Sequence, residues 1–129
     1  MRLLRIWNDY RINRLITLVL FGVITFLTLS PDMHAPTLIK WQDKLEHIIA
    51  FGTLALFICR SFNPESEFSI ADRTILAILI IASYGSFSEV LQSIVPNRDP
   101  SLMDLAADLV GAFLGGMLFK RIPFLQNHK

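Results

Sequence analysis

Four stretches of this chain carry no charged residue: 15–31, 48–59, 74–88 and 109–119. The first reads LITLVLFGVITFLTLS and is apolar on every side of a helix. A helix of a soluble bundle keeps a polar stripe facing water along its whole length. Here the charges gather at the block ends instead, which selects the membrane. Each block alone falls at or below the roughly 18 apolar residues that mark a confident span. Tolerated flanking groups extend them to 12–30, 43–62, 73–95 and 102–119, close to the ~20 residues a bilayer requires. The expected fold is therefore all-α, a bundle of four transmembrane helices forming a single membrane domain over residues 1–129.

Other features exclude function classes. A chain of 129 residues has no room for a separate soluble enzyme module. A formal net charge of +1 provides no basic field for nucleic acid. Cys59 is the one cysteine, so it makes no internal disulfide, shows no zinc spacing and reads as a small apolar filler. There is no phosphate-cradling glycine loop, nucleophile elbow or paired zinc motif, and no cofactor or metal is expected. Arg2, Arg5, Arg11 and Arg14 precede an apolar run as in a secretory signal. The exit, SPDMHAP, lacks a small-residue cleavage site, so the segment is expected to stay as the first span.

Lysine and arginine bias sets the expected orientation. In a four-span chain, Arg2, Arg5, Arg11, Arg14, Arg60, Arg73, Lys120, Arg121 and Lys129 fall on one side, and Lys40, Lys44 and Arg98 on the other. Both termini are thus expected in the cytoplasm, with Trp7 and Tyr10 in the inner interfacial belt and Trp41 in the outer one.

This topology sends the remaining polar residues to one level, near the outer leaflet. The second span enters with Asp43, Lys44, Glu46 and His47; the third leaves with Glu89, Gln92 and Ser93; the fourth enters with Asp104 and Asp108; and Arg98 sits between the last two. Asp43 and His47 are spaced i, i+4, as are Asp104 and Asp108, while Glu89 and Gln92 are i, i+3, so each pair shares a helix face. Part of this has a plain structural reading. Ser101-x-x-Asp104 is a capping box and Asp43-x-x-Glu46 resembles one; capping accounts for Glu46 and competes evenly with function at Asp43 and Asp104. It does not account for His47, Glu89 or Asp108 within the spans, where an ionisable group costs roughly 2.5–3.5 kcal/mol to insert. Asp108 in particular needs compensation, from Arg98, from a proton on His47 or, least favoured, from a divalent cation. Gly111-x-x-x-Gly115 reads as a close-packing face, Phe51, Phe87 and Leu91 as packing residues, and Glu65, Glu67 and Asp72 as a solvated inner loop.

The order DKLEHIIAFGTLAL, SEVLQ, PNRDPSLMDLAADLVGAFLGG resembles the VanZ-like family of small bacterial membrane proteins, named for a teicoplanin-resistance protein. The resemblance covers residues 43–116 and falls on Asp43, Lys44, His47, Phe51, Glu89, Gln92, Pro96, Arg98, Asp104, Asp108, Gly111 and Gly115. Many members carry asparagine where this chain has Asp108. The resemblance implies a multi-pass protein of the bacterial cytoplasmic membrane and a link to glycopeptide susceptibility. Three functions compete. The first is a non-enzymatic envelope factor whose outer polar cleft, built from Asp43, Lys44, His47, Glu89, Gln92, Arg98, Asp104 and Asp108, binds a lipid headgroup, a lipid-linked cell-wall precursor or a membrane partner protein. The second is an enzyme acting on a lipid headgroup or isoprenoid phosphate with His47 or Glu89 as acid–base. The third is a small structural subunit of a membrane complex. Nothing identifies a catalytic residue, and binding is preferred to catalysis.

Overall fold

A computed structural model describes residues 7–30, 41–96 and 100–126. Four helices make up nearly all of it: α1 (Tyr10–Leu29), α2 (Gln42–Arg60), α3 (Ile70–Gln92) and α4 (Leu102–Arg121), followed by a 3-10 turn, Pro123–Leu125. At 19 to 23 residues each they are about 28–35 Å long, the thickness of a hydrocarbon core. By length and composition α1, α3 and α4 are able to cross a membrane. The α2 helix is less clearly so, because it carries Asp43, Lys44, Glu46, His47 and Arg60.

Its position compensates for its composition. The largest interface in the molecule joins α2 to α4, and α2 also packs on α1 and α3. It buries Phe51, Leu54, Ala55, Ile58, Cys59 and Arg60, at the centre of a core that includes Ile24, Ala77, Ile81, Ala112 and Phe119. The outer helices look the other way. Only 17% of the most apolar window of α1 and 22% of that of α3 is buried inside the protein, leaving Leu15, Leu18, Phe26, Ile75, Leu79, Phe87 and Val90 exposed. Apolar faces of that extent suit lipid rather than water. Phe87, read from sequence as packing, therefore belongs to the lipid-facing side. Exposed hydroxyls on these faces are satisfied locally: Ser83 and Ser86 donate to Leu79 and Ala82 carbonyls at 3.0 and 2.8 Å, as a bilayer demands.

Glycines set the α2–α4 distance. A Cβ at Gly111 would lie 2.5 Å from the Ile48 carbonyl oxygen and 3.0 Å from the Gly52 nitrogen, and one at Gly115 would strike the Gly52 carbonyl. The two backbones touch, as small-residue faces permit. Gly52 is the partner of the Gly111-x-x-x-Gly115 face.

The helix ends differ from the sequence expectation. A capping box forms at Ser69 with Asp72, whose carboxylate accepts the Ser69 N–H at 2.8 Å; Asp72 opens α3 rather than sitting in a solvated loop. Neither expected box forms. The N-cap of α2 is Trp41 and that of α4 is Ser101, and neither side chain makes a capping bond. At the end where α1 begins and α2 finishes, Arg60 is fully buried. Its Nε donates to Asn13 Oδ1 at 3.2 Å, its two terminal nitrogens donate to the Trp7 and Leu125 carbonyls, and it lies 4.3 Å over the Trp7 ring. Arg60 thus fastens the chain on both flanks of the bundle, and Trp7 supports it rather than only lying in the interface.

Candidate functional site

Both α2 and α4 begin at the opposite end from Arg60 and run parallel in contact. Residues one turn apart on each helix face each other in register: Lys44 meets Asp104 and His47 meets Asp108, 60 and 61 positions apart. The glycine contact one to two turns further on holds the helices close enough for these short bridges.

The Lys44 ammonium donates to Asp43 Oδ2 at 2.8 Å and also to Asp104 Oδ1. The other oxygens of the same two carboxylates, Asp43 Oδ1 and Asp104 Oδ2, each lie 4.0 Å from His47 Nε2. On its far side the imidazole meets Asp108, with Nδ1 2.7 Å from Oδ1. An ionised carboxylate only accepts, so Nδ1–H is the donor. The His47 ring is parallel to Phe51 within 4°, at 6.0 Å between centroids. Phe51 in turn leans on Tyr84 of α3, whose hydroxyl is 2.7 Å from Thr25 Oγ1 of α1. The third wall is Gly85, where a Cβ would come within 2.9 Å of Asp108 Oδ2 and 3.1 Å of Leu105 Cδ1, so a larger residue would displace one of these side chains. Side-chain exposure falls steadily inward, from 50% at Asp43 through 23% at Lys44 and 12% at Asp104 to 2% at Asp108. The centre thus opens at the helix ends and closes within one turn.

The other sequence candidates lie around it. Glu89 Oε2 accepts the Ser101 N–H at 2.5 Å, so a carboxylate of α3 takes the N-cap N–H that Asp104 would accept in a capping box, and caps α4. Gln92 is buried beside the same junction. Glu46 binds the Gln42 amide at 2.9 Å on the exposed side of α2. Gly111 and Gly115 pack against α2 as described. Arg98 lies outside the described residues, and Asp108 has His47 as its partner. Among the described residues no group of three or more His, Cys, Asp or Glu side chains is arranged to hold a metal ion. Sequence reasoning missed Arg60, Gly52 and Gly85. For the two glycines the signal was present, since each lies within a span and near a charged residue's helical turn; for Arg60 the partners are too remote in sequence to foresee.

A model of the VanZ/LLP1 family matches residues 4–125. The chain belongs to the VanZ/LLP1 family. The match takes in α1 as well as the 43–116 motif region, so the first helix is part of the family's pattern rather than a generic span. No curated protein and no solved structure matches the chain. In this VanZ/LLP1 protein the motif residues Asp43, Lys44, His47, Asp104 and Asp108 share one centre, while Glu89, Gly111 and Gly115 hold the helices that build it.

Proposed function

We propose that this VanZ/LLP1 protein is a multi-pass protein of the bacterial cytoplasmic membrane, with both termini in the cytoplasm. Its polar centre, placed at the outer leaflet, binds the headgroup of a membrane lipid or of a lipid-linked cell-wall precursor. The inward gradient of exposure from Asp43 to Asp108 carries this reading: a centre of charged groups at the end of a lipid-bathed bundle, open at the headgroup level, presents polar contacts where headgroups lie. Ionisable groups in a span are costly to insert and are there for a function by default. Binding is favoured over catalysis because Glu89, one of the two acid–base candidates, is engaged in capping α4. A membrane enzyme is the second reading, favoured by one observation: Asp108 orients His47 through Nδ1, as an acid–base histidine requires.

The test is native mass spectrometry of the protein released from nanodiscs made with a total bacterial lipid extract. Wild type should retain a headgroup-defined lipid that His47→Asn, whose side-chain amide still donates to Asp108, releases while helicity stays unchanged. Equal retention by both proteins would remove the headgroup reading. Product formation from the retained lipid would promote the enzyme. Expression in a glycopeptide-sensitive host, scored by teicoplanin susceptibility, tests the link implied by the family.

A further inference from the structure

We propose that Arg11 and Arg14, at the start of α1, form a second site, which takes the phosphate of an anionic glycerophospholipid at the opposite end of the bundle from the α2–α4 centre. Both side chains are arranged around one ring. The guanidinium of Arg11 lies 5.7 Å and that of Arg14 5.1 Å from the centroid of Tyr10, within reach of a cation–π contact. Each is also fixed through its Nε. Arg11 donates to the Tyr10 hydroxyl at 3.3 Å, and Arg14 reaches across to donate to the Ser61 carbonyl at the end of α2 at 2.9 Å. A guanidinium held by Nε keeps the N–H donors of its two terminal nitrogens for another acceptor. The ion pairs among the described residues all lie at the α2–α4 centre, so no carboxylate among these residues claims either fork. Arg60 and Arg73, at the same end, differ: both are buried and donate to backbone carbonyls.

Charge and depth agree with an anionic lipid. The first 14 residues hold four arginines and one acid, Asp9, and that carboxylate accepts the Arg11 backbone N–H at 2.8 Å as the N-cap of α1. Two guanidinium forks suit phosphate oxygens and repel the ammonium that an ethanolamine or choline lipid carries beside its phosphate. Both arginines occupy the opening turns of a helix able to cross a membrane, the level at which an interfacial tyrosine and lipid phosphates lie. Leu15, Leu18 and Gly22 continue the same exposed face, and among the described residues a Cβ on Gly22 would meet nothing within 4 Å. The ~12 Å of helix from Arg14 to Gly22 gives an acyl chain an apolar track beneath its own phosphate, which a free phosphate does not use.

The test compares a site with a diffuse basic field. Protein is released from nanodiscs of equal parts phosphatidylglycerol, phosphatidylethanolamine and phosphatidylcholine and weighed by native mass spectrometry. Wild type should retain phosphatidylglycerol about tenfold over phosphatidylcholine, each arginine contributing a few-fold. Two charge-conserving variants should bring that ratio close to one with helicity unchanged: Tyr10→Leu, which removes the shared ring, and Arg11→Lys with Arg14→Lys, which removes the forks. Equal retention of the two lipids by wild type overturns the proposal. Undiminished enrichment in both variants also overturns it, because a field that depends on charge alone needs no ring and no fork. Loss of the enrichment in His47→Asn instead would place the anionic lipid at the α2–α4 centre and overturn the α1 site. A rise in melting temperature with inorganic phosphate, without phosphatidylglycerol enrichment, assigns the forks to a soluble anion and overturns the lipid.

Discussion

Asp108 is the most deeply placed acid of the centre, and its side chain bonds a histidine rather than a cation that is always charged. The bond needs an acceptor at that position, and it does not need a charge. Asp108→Asn should therefore fold and insert like wild type, its amide oxygen accepting from Nδ1–H. Asp108→Leu should lose about 1–3 kcal/mol, because it strands the imidazole N–H inside the bundle. Detergent melts of both variants decide this: equal losses would show that the bond contributes nothing. At this scale the sequence was informative about which residues matter and uninformative about how they pair. The i, i+4 spacing placed Asp43 with His47 and Asp104 with Asp108 on common faces. It could not show that the partner of each lies on the other helix, since that depends on the register of α2 against α4.

The helices themselves explain that register. Contact at Gly52, Gly111 and Gly115 makes α2 and α4 one rigid pair, and α3 is attached to it through the Glu89 carboxylate on the Ser101 N–H. Exchange of Glu89 for glutamine leaves an oxygen to accept, so Glu89→Gln should cost a few tenths of a kcal/mol, whereas Glu89→Leu should cost about 1 kcal/mol, the usual value of a lost N-cap. Thermal unfolding in detergent measures both. Loss of lipid binding by Glu89→Gln without loss of stability would return Glu89 to the list of acid–base residues. The glycine face of α4 was legible because i, i+4 glycines have few other uses in a span. The cap was misread because Ser101-x-x-Asp104 satisfies the local pattern of a capping box, yet Lys44 claims the Asp104 carboxylate from 60 residues away. A long-range ion pair outcompeted a local hydrogen bond. The box that does form, at Ser69 and Asp72, has no such competitor among the described residues.

For the molecule as a whole, four helices were readable from the uncharged blocks, with boundaries displaced by up to a few residues in either direction. The proposed orientation rests on the arginine and lysine split. Reporter fusions after Thr37 and Asn97 should read extracytoplasmic and one after Ser66 cytoplasmic; a cytoplasmic signal at Asn97 would put the centre on the inner face. Less legible was how unequal the helices are. The sequence presented four similar spans, whereas α2 is the least apolar and lies against all three others, where Lys44, His47 and Arg60 find partners on other elements.

That inequality has a consequence for the order of biosynthesis. A ribosome delivers α2 well before the residues that make it tolerable in lipid. Lys44 waits 60 residues for Asp104, His47 waits 61 for Asp108, and Arg60 waits 65 for the Leu125 carbonyl. Until α4 emerges, Lys44 and His47 of the nascent α2 lack Asp104 and Asp108, while Arg60 already has Asn13 and the Trp7 carbonyl within reach. Synthesis of α4 thus supplies the partners that make the polar end of α2 tolerable in a bilayer.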